Sequence, residues 1–148
     1  MKHLTTLSNI DILRIAARYN IAVDGILCRD EVPTDLAEGY YIINLDKSTN
    51  GGTHWTCLVV GRGDDLYFDS FGVVSPSQID RLAGRYIYST VDLQDLNATS
   101  CGWWCLAFLS HVQSSADRQR GRDCYMGFLC RFTNCPAKNE CILAKMFS

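Results

Sequence analysis

The sequence predicts an α+β fold in which a central apolar helix packs on a mixed, mainly antiparallel β-sheet. Three observations predict it. Residues 103–109 (WWCLAFL) are seven consecutive apolar residues, and a helix apolar on every side is one that is wholly buried. Runs rich in β-branched and aromatic residues at 39–45, 54–60 and 66–68 are separated by polar turns, as in an antiparallel meander. Amphipathic or mixed segments at both ends read as covering helices. With 148 residues, 47% apolar and 20% charged, the chain supports one core and therefore a single domain over 1–148.

The elements follow in order. Residues 8–19 predict a first helix, with Ser8 as its cap, Asp11 completing a capping box, and Ile10, Leu13, Ala16 and Ala17 as its apolar stripe. Residues 26–33 (ILCRDEVP) read as extended up to the proline. The strand over 39–45 leads through the polar loop DKSTNGG into the strand over 54–60. A turn at 61–65 returns the chain as the strand 66–68. Ser75-Pro76 opens a short helix to Leu82, and residues 86–88 and 91–93 are extended again. After the central helix, 123–132 and 139–147 predict two short helices over the core.

Cys101 stands where a polar segment gives way to that buried helix. A helix N-terminus offers unpaired N–H groups and the positive end of the macrodipole, which favours thiolate over thiol. Gly102 is expected to leave the approach to the sulfur open. Gln94, seven residues earlier, supplies a side-chain amide for a developing oxyanion, beside the Cys101 backbone N–H. Of the three histidines, His111 would lie about 15 Å along the same helix, and His3 belongs to a terminus. His54 remains, just after the pair Gly51-Gly52. The orienting acid is expected at the end of the next strand, as Asp69 in DSFG. Asp92 and Asp95 share the segment of Gln94 and lack a strand route to His54. Trp55 has two readings: it fills core beside the strand, or its ring walls a cleft next to the imidazole. Trp103, Trp104 and Cys105 read as core.

His54-Trp55, Asp69 in D-S-F-G, Gln94 and Cys101-Gly102, in that order, resemble the adenovirus maturation protease (adenain) family and its relatives in virophages and Polinton-type elements. More distantly they resemble the SUMO-deconjugating cysteine proteases. The likeness runs from about Gly51 to Leu109. The acid is Asp69 where the mammalian adenoviral enzyme has Glu. The resemblance implies a papain-like, adenain-like core and a thiol endopeptidase with Cys101, His54, Asp69 and Gln94 as catalytic residues. Trp55, Gly102 and Gly52 would border the substrate cleft. It further implies viral capsid or core precursor polypeptides as substrates, cut at small, glycine-containing sites, within the host cell and in the virion. A peptide activator is known in the family; no cofactor is expected to be required here.

A net charge of -2 gives no electrostatic footprint for nucleic acid, so DNA binding is expected to be weak or absent. The cluster Arg118, Arg120 and Arg122 is interrupted by acids and reads as a solvated loop. No long apolar run or leader predicts a membrane span or secretion, and a monomer in a reducing interior is expected. The eight cysteines lack a C-x2-C knuckle, so no metal site is expected. Two other functions fit the residues: an isopeptidase removing a ubiquitin-like modifier, and a non-enzymatic cysteine-rich metal or binding module.

Overall fold

The computed structural model describes residues 4–45, 54–61, 64–80, 86–115 and 121–148. Five strands form one mixed sheet in chain order: β1 (Gly25–Cys28), β2 (Gly39–Asn44), β3 (Trp55–Val60), β4 (Asp65–Phe68) and β5 (Tyr86–Ile87). The central pairings, β2 with β3 and β3 with β4, are antiparallel, and the outer pairings are parallel. The meander is therefore the middle of the sheet, and parallel pairings weigh more than the sequence suggested. Helices α1 (Asn9–Arg18), α2 (Ser77–Asp80), α3 (Cys101–Ser115), α4 (Gly121–Leu129) and α5 (Pro136–Met146) complete the α+β fold. Among the described residues no helix is long and apolar enough to cross a membrane.

Helix α1 starts as its sequence dictates. The Ser8 hydroxyl accepts the Asp11 N–H at 3.2 Å and the Asp11 carboxylate accepts the Ser8 N–H at 2.9 Å. Its buried row differs from the expected stripe: Ile12 and Ala16 are inside, whereas Ile10 is 59% and Leu13 50% exposed. The row Ile12, Ile15, Ala16, Tyr19 has the same helical spacing and is the one that meets the core. Periodicity alone could not choose between two adjoining apolar rows.

Two other expectations shift for local reasons. Beyond β1 the chain tightens into a 3-10 turn, Arg29–Glu31, instead of running extended to Pro33, because the Glu31 carboxylate accepts the Cys28 N–H at 2.9 Å. Residues 91–93 are not a strand. They are tied to the sheet through Ser70, whose carbonyl accepts the N–H of Leu93 at 2.9 Å and of Gln94 at 3.0 Å.

Helix α3 lies across one face of the sheet, where Ile42, Trp55, Cys57, Val59, Leu66 and Phe68 meet it. Phe68 stacks on Phe108 with ring centroids 4.6 Å apart, and Phe128 of α4 closes edge-on against both. Burying one such side chain stabilises by about 1.5–3 kcal/mol. The opposite face carries Tyr41, Ile43, Leu58 and Tyr67, covered by Ile79 of α2. β3 is thus covered on both faces. Its first residue, Trp55, meets the start of α3 through its backbone N–H, which the Cys101 sulfur accepts at 3.4 Å.

Candidate active site

The register of β3 and β4 brings the first two residues together. Cys57 pairs with Phe68, so the same register continued past both strand ends sets His54 opposite Phe71 and diagonal to Asp69. His54 Nε2 lies 3.0 Å from Asp69 Oδ1, and the imidazole stacks on the Phe71 ring at 5.1 Å with 29° between planes. Asp69 is buried, and its Oδ1 also accepts the Phe71 N–H at 2.8 Å. The turn closes through the Gly72 N–H, which donates to the Asp69 carbonyl at 2.9 Å. Gly72 has φ +70°, and a Cβ there would stand 2.6 Å from the Thr90 carbonyl oxygen. Only glycine meets both conditions.

Cys101 is the first residue of α3 and is buried. Its Sγ accepts the backbone N–H of Trp55 at 3.4 Å, and it lies close enough to His54 to help raise the pKa of the imidazole. With Nε2 committed to Asp69, Nδ1 is the ring nitrogen left for the thiol. Burial of the His54 ring pulls its pKa down, but the hydrogen bonds and charges of Asp69 and Cys101 outweigh it and raise the pKa to about 9. At neutral pH the imidazole is therefore protonated, sitting between a carboxylate and a sulfur.

Gln94 is fixed at both ends of its amide. Ser70 Oγ donates to Oε1 at 2.6 Å, and Nε2 donates to the Ala98 carbonyl at 2.8 Å. The second Nε2 proton has no partner among the described residues. Behind this segment, Asn139 of α5 donates to the Leu93 carbonyl at 3.2 Å. Glu140 accepts from the Ser100 hydroxyl and, at 3.1 Å, from the Trp104 indole. Burial raises the Glu140 pKa, partly offset by those two donors. Helix α5, which the sequence offered only as a lid, braces both the Gln94 segment and the start of α3.

The remaining sequence expectations divide. The Trp55 indole lies in the core and donates to the Leu7 carbonyl at 2.9 Å; the ring stacked on His54 is Phe71. Gly102 does not open a path to the sulfur. The space its absent side chain leaves is filled by Leu7, whose Cδ1 is 3.1 Å from where a Cβ would stand. The segment containing Leu7 is pinned there because the Trp103 and Trp55 indoles bind the Thr5 and Leu7 carbonyls. Gly52, like Gly51, His3, Arg118 and Arg120, lies outside the described residues. His111 is on another face of α3, with Nε2 3.1 Å from the Cys124 carbonyl and its pKa lowered by burial. Cys105 is fully buried beside Cys57, and burial raises its thiol pKa further.

Two features lie apart from these residues. A cavity of about 330 Å³ is lined by Leu4, Asp95, Ala98, Ser100, Glu140 and Cys141, and by none of His54, Asp69 or Cys101. Cys28, Asp30 and Glu31 hold ligand-type atoms within 4.8 Å of one another on the 3-10 turn, where the Glu31 carboxylate already serves the Cys28 N–H.

Ser70 and Phe71 were missed in the sequence, although both stand inside the DSFG string that supplied Asp69. The signal was the strand alternation around that acid. The chain matches no protein-family model and no curated protein.

Proposed function

We propose that the chain is a cysteine endopeptidase with a papain-like, adenain-like core, working by acyl transfer. The observation that supports it most is His54, 3.0 Å from Asp69 and with its pKa raised by both Asp69 and Cys101, the latter being the first residue of a buried helix. Cys–His–acid in this order of contact is what nucleophilic thiol catalysis requires.

In this reading His54 holds the Cys101 proton, and Asp69 stabilises the resulting imidazolium. The thiolate attacks the scissile carbonyl carbon, and the negative charge passes to its oxygen. The free Gln94 N–H and the Cys101 backbone N–H stabilise that oxygen. The C–N bond then breaks, the amine leaving with the proton from His54. Water, deprotonated by His54, hydrolyses the thioester and restores the thiol. By the resemblance of its motifs, the substrates are capsid or core precursors of a virus or related element, cut at small, glycine-containing sites. Processing takes place in the host cell and in the virion, and DNA is not needed.

The test is the rate of iodoacetamide alkylation across pH, mapped by mass spectrometry, for the native chain and His54→Ala. Cys101 is expected to react fastest of the eight cysteines, with a rate near neutral pH that falls when His54 is removed. An inert Cys101, or one indifferent to His54, ends the protease reading.

A further inference from the structure

We propose that Ser70 is a positioning residue for the oxyanion-binding amide, holding the free N–H of Gln94 toward the reacting carbonyl. The inference rests on the acyl-transfer reading above. A primary amide can sit in its site in two orientations related by a flip, and only one presents an N–H where an oxygen is to be stabilised. Two contacts choose between them here. The Ala98 carbonyl can only accept, so the NH2 end must face it, at 2.8 Å. The Ser70 hydroxyl supplies the donor that the Oε1 end needs, at 2.6 Å. With both ends held and the amide planar, the direction of the second N–H is set. Both residues are 1% exposed, so in the native chain the hydroxyl, and not bulk water, is what meets the amide oxygen. The Ser70 carbonyl also accepts the Leu93 and Gln94 N–H groups, so the backbone and side chain of Gln94 hang on the same residue.

Ser70 follows Asp69 directly. The turn that holds the imidazole therefore also holds the oxyanion donor, and the distance between base and donor is fixed within one short piece of chain. A plain structural reading also exists, in which the two polar groups merely satisfy each other in the interior. The two readings predict different chemistry.

The experiment compares two reactions of Cys101 in the full chain near neutral pH, with Cys101→Ala as the blank. Iodoacetamide alkylates by direct displacement: the S–C bond forms, iodide leaves, and no oxyanion appears. N-acetylglycylglycine p-nitrophenyl ester acylates through a tetrahedral oxyanion. There the S–C bond forms, the ester C–O bond breaks and p-nitrophenolate leaves, while the thiol proton stays on His54 until it passes to solvent. Ser70→Ala is expected to slow acylation about tenfold, less than the roughly 100-fold typical of losing a donor outright, and to leave alkylation within about twofold. In a Gln94→Ala background the same change should do nothing further to acylation. If Ser70→Ala melts early, Ser70→Cys, a near-isosteric weak donor, is judged by the same comparison.

Unchanged acylation in the Ser70 variant overturns the proposal. So does equal slowing of both reactions, or a full additional loss in the Gln94→Ala background. A native chain that is alkylated at Cys101 in a His54-dependent way, yet never acylated, removes the acyl-transfer reading and the role of Ser70 together.

Discussion

Replacing Asp69 by Asn tests the ionic part of the site with almost no change of shape. The amide keeps an oxygen for the Phe71 N–H, but it carries no charge. In the native chain burial opposes the His54 charge, and Asp69 and Cys101 outweigh that burial, taking the pKa from 6.5 to about 9. Without the carboxylate, burial becomes the leading influence and favours the neutral ring. The His54 pKa in Asp69→Asn is therefore expected to fall by about 2 units or more, to the neighbourhood of 6.5 or below. At about 1.4 kcal/mol per unit that is roughly 3 kcal/mol as an upper bound. The imidazole side chain keeps 21% of its exposure, so solvent screening brings the expected loss to about 1–2 kcal/mol. Titration of the His54 ring nitrogens by NMR reads the shift directly.

Stability gives an independent readout of the same variant. A raised pKa means that the folded chain holds the proton more tightly than the unfolded chain. The contribution is complete below pH 6.5 and is lost as pH rises to about 9. Across that window the native chain should lose stability relative to Asp69→Asn. A variant His54 titrating within about half a unit of the native value would refute the reasoning, as would melting profiles that stay parallel over the window.

Gln94→Ala should lower acylation of Cys101 by about 100-fold or more while its alkylation by iodoacetamide barely changes; equal effects on both would remove Gln94 from the oxyanion site. Gly72→Ala should destabilise the fold by about 2–4 kcal/mol in urea denaturation, because the left-handed backbone and the clash with the Thr90 carbonyl both oppose a side chain. A loss under about 0.5 kcal/mol would mean the turn adapts without cost. Added DNA should leave turnover of a cleavable peptide unchanged, given the net charge of -2; a large salt-sensitive rise would contradict it.

The sequence made some parts of this architecture readable because they are local. The capping box at Ser8 and Asp11 is a four-residue signal, and it forms as written. The apolar run after Cys101 is helix α3, buried at all seven of those positions. With only three histidines, elimination led to His54, and adjacent strand ends led to Asp69; the structure places the two 3.0 Å apart. Long-range choices were not readable. The core could have met either of two apolar rows on α1. Leu7 reaches Gly102 from far along the chain, and the spacing of residues around Cys101 carries no trace of it. Asn139 and Glu140 fall in a segment read only as a short helix over the core, yet both hydrogen-bond to the segments that carry Gln94 and Cys101. Such bonds depend on how α5 docks, which no local pattern encodes.

The turn after β4 explains how so few residues can organise the site. Along a strand, alternate side chains point to opposite sides. Carried one step past Phe68, that alternation sends Asp69 and Phe71 to one partner and Ser70 to another. Asp69 and Phe71 both address His54, the first through its charge and the second by covering the ring face. Ser70 addresses Gln94. The carboxylate is costly where it lies. It is 3% exposed, both its hydrogen bonds fall on Oδ1, and Oδ2 is buried without a partner among the described residues. A buried carboxylate in that state is tolerated when a cation stands against it, and its ion pair among the described residues is with His54. The Asp69 carboxylate therefore helps to hold the imidazole in its protonated form. Because Nε2 is committed to that pair, the ring cannot rotate to offer Cys101 a different nitrogen without abandoning Asp69. Shifting the turn by a single residue would exchange the two sets of partners, turning the carboxylate toward Gln94 and the hydroxyl toward His54. In the proposed mechanism, both the base and the oxyanion donor would then be lost at once.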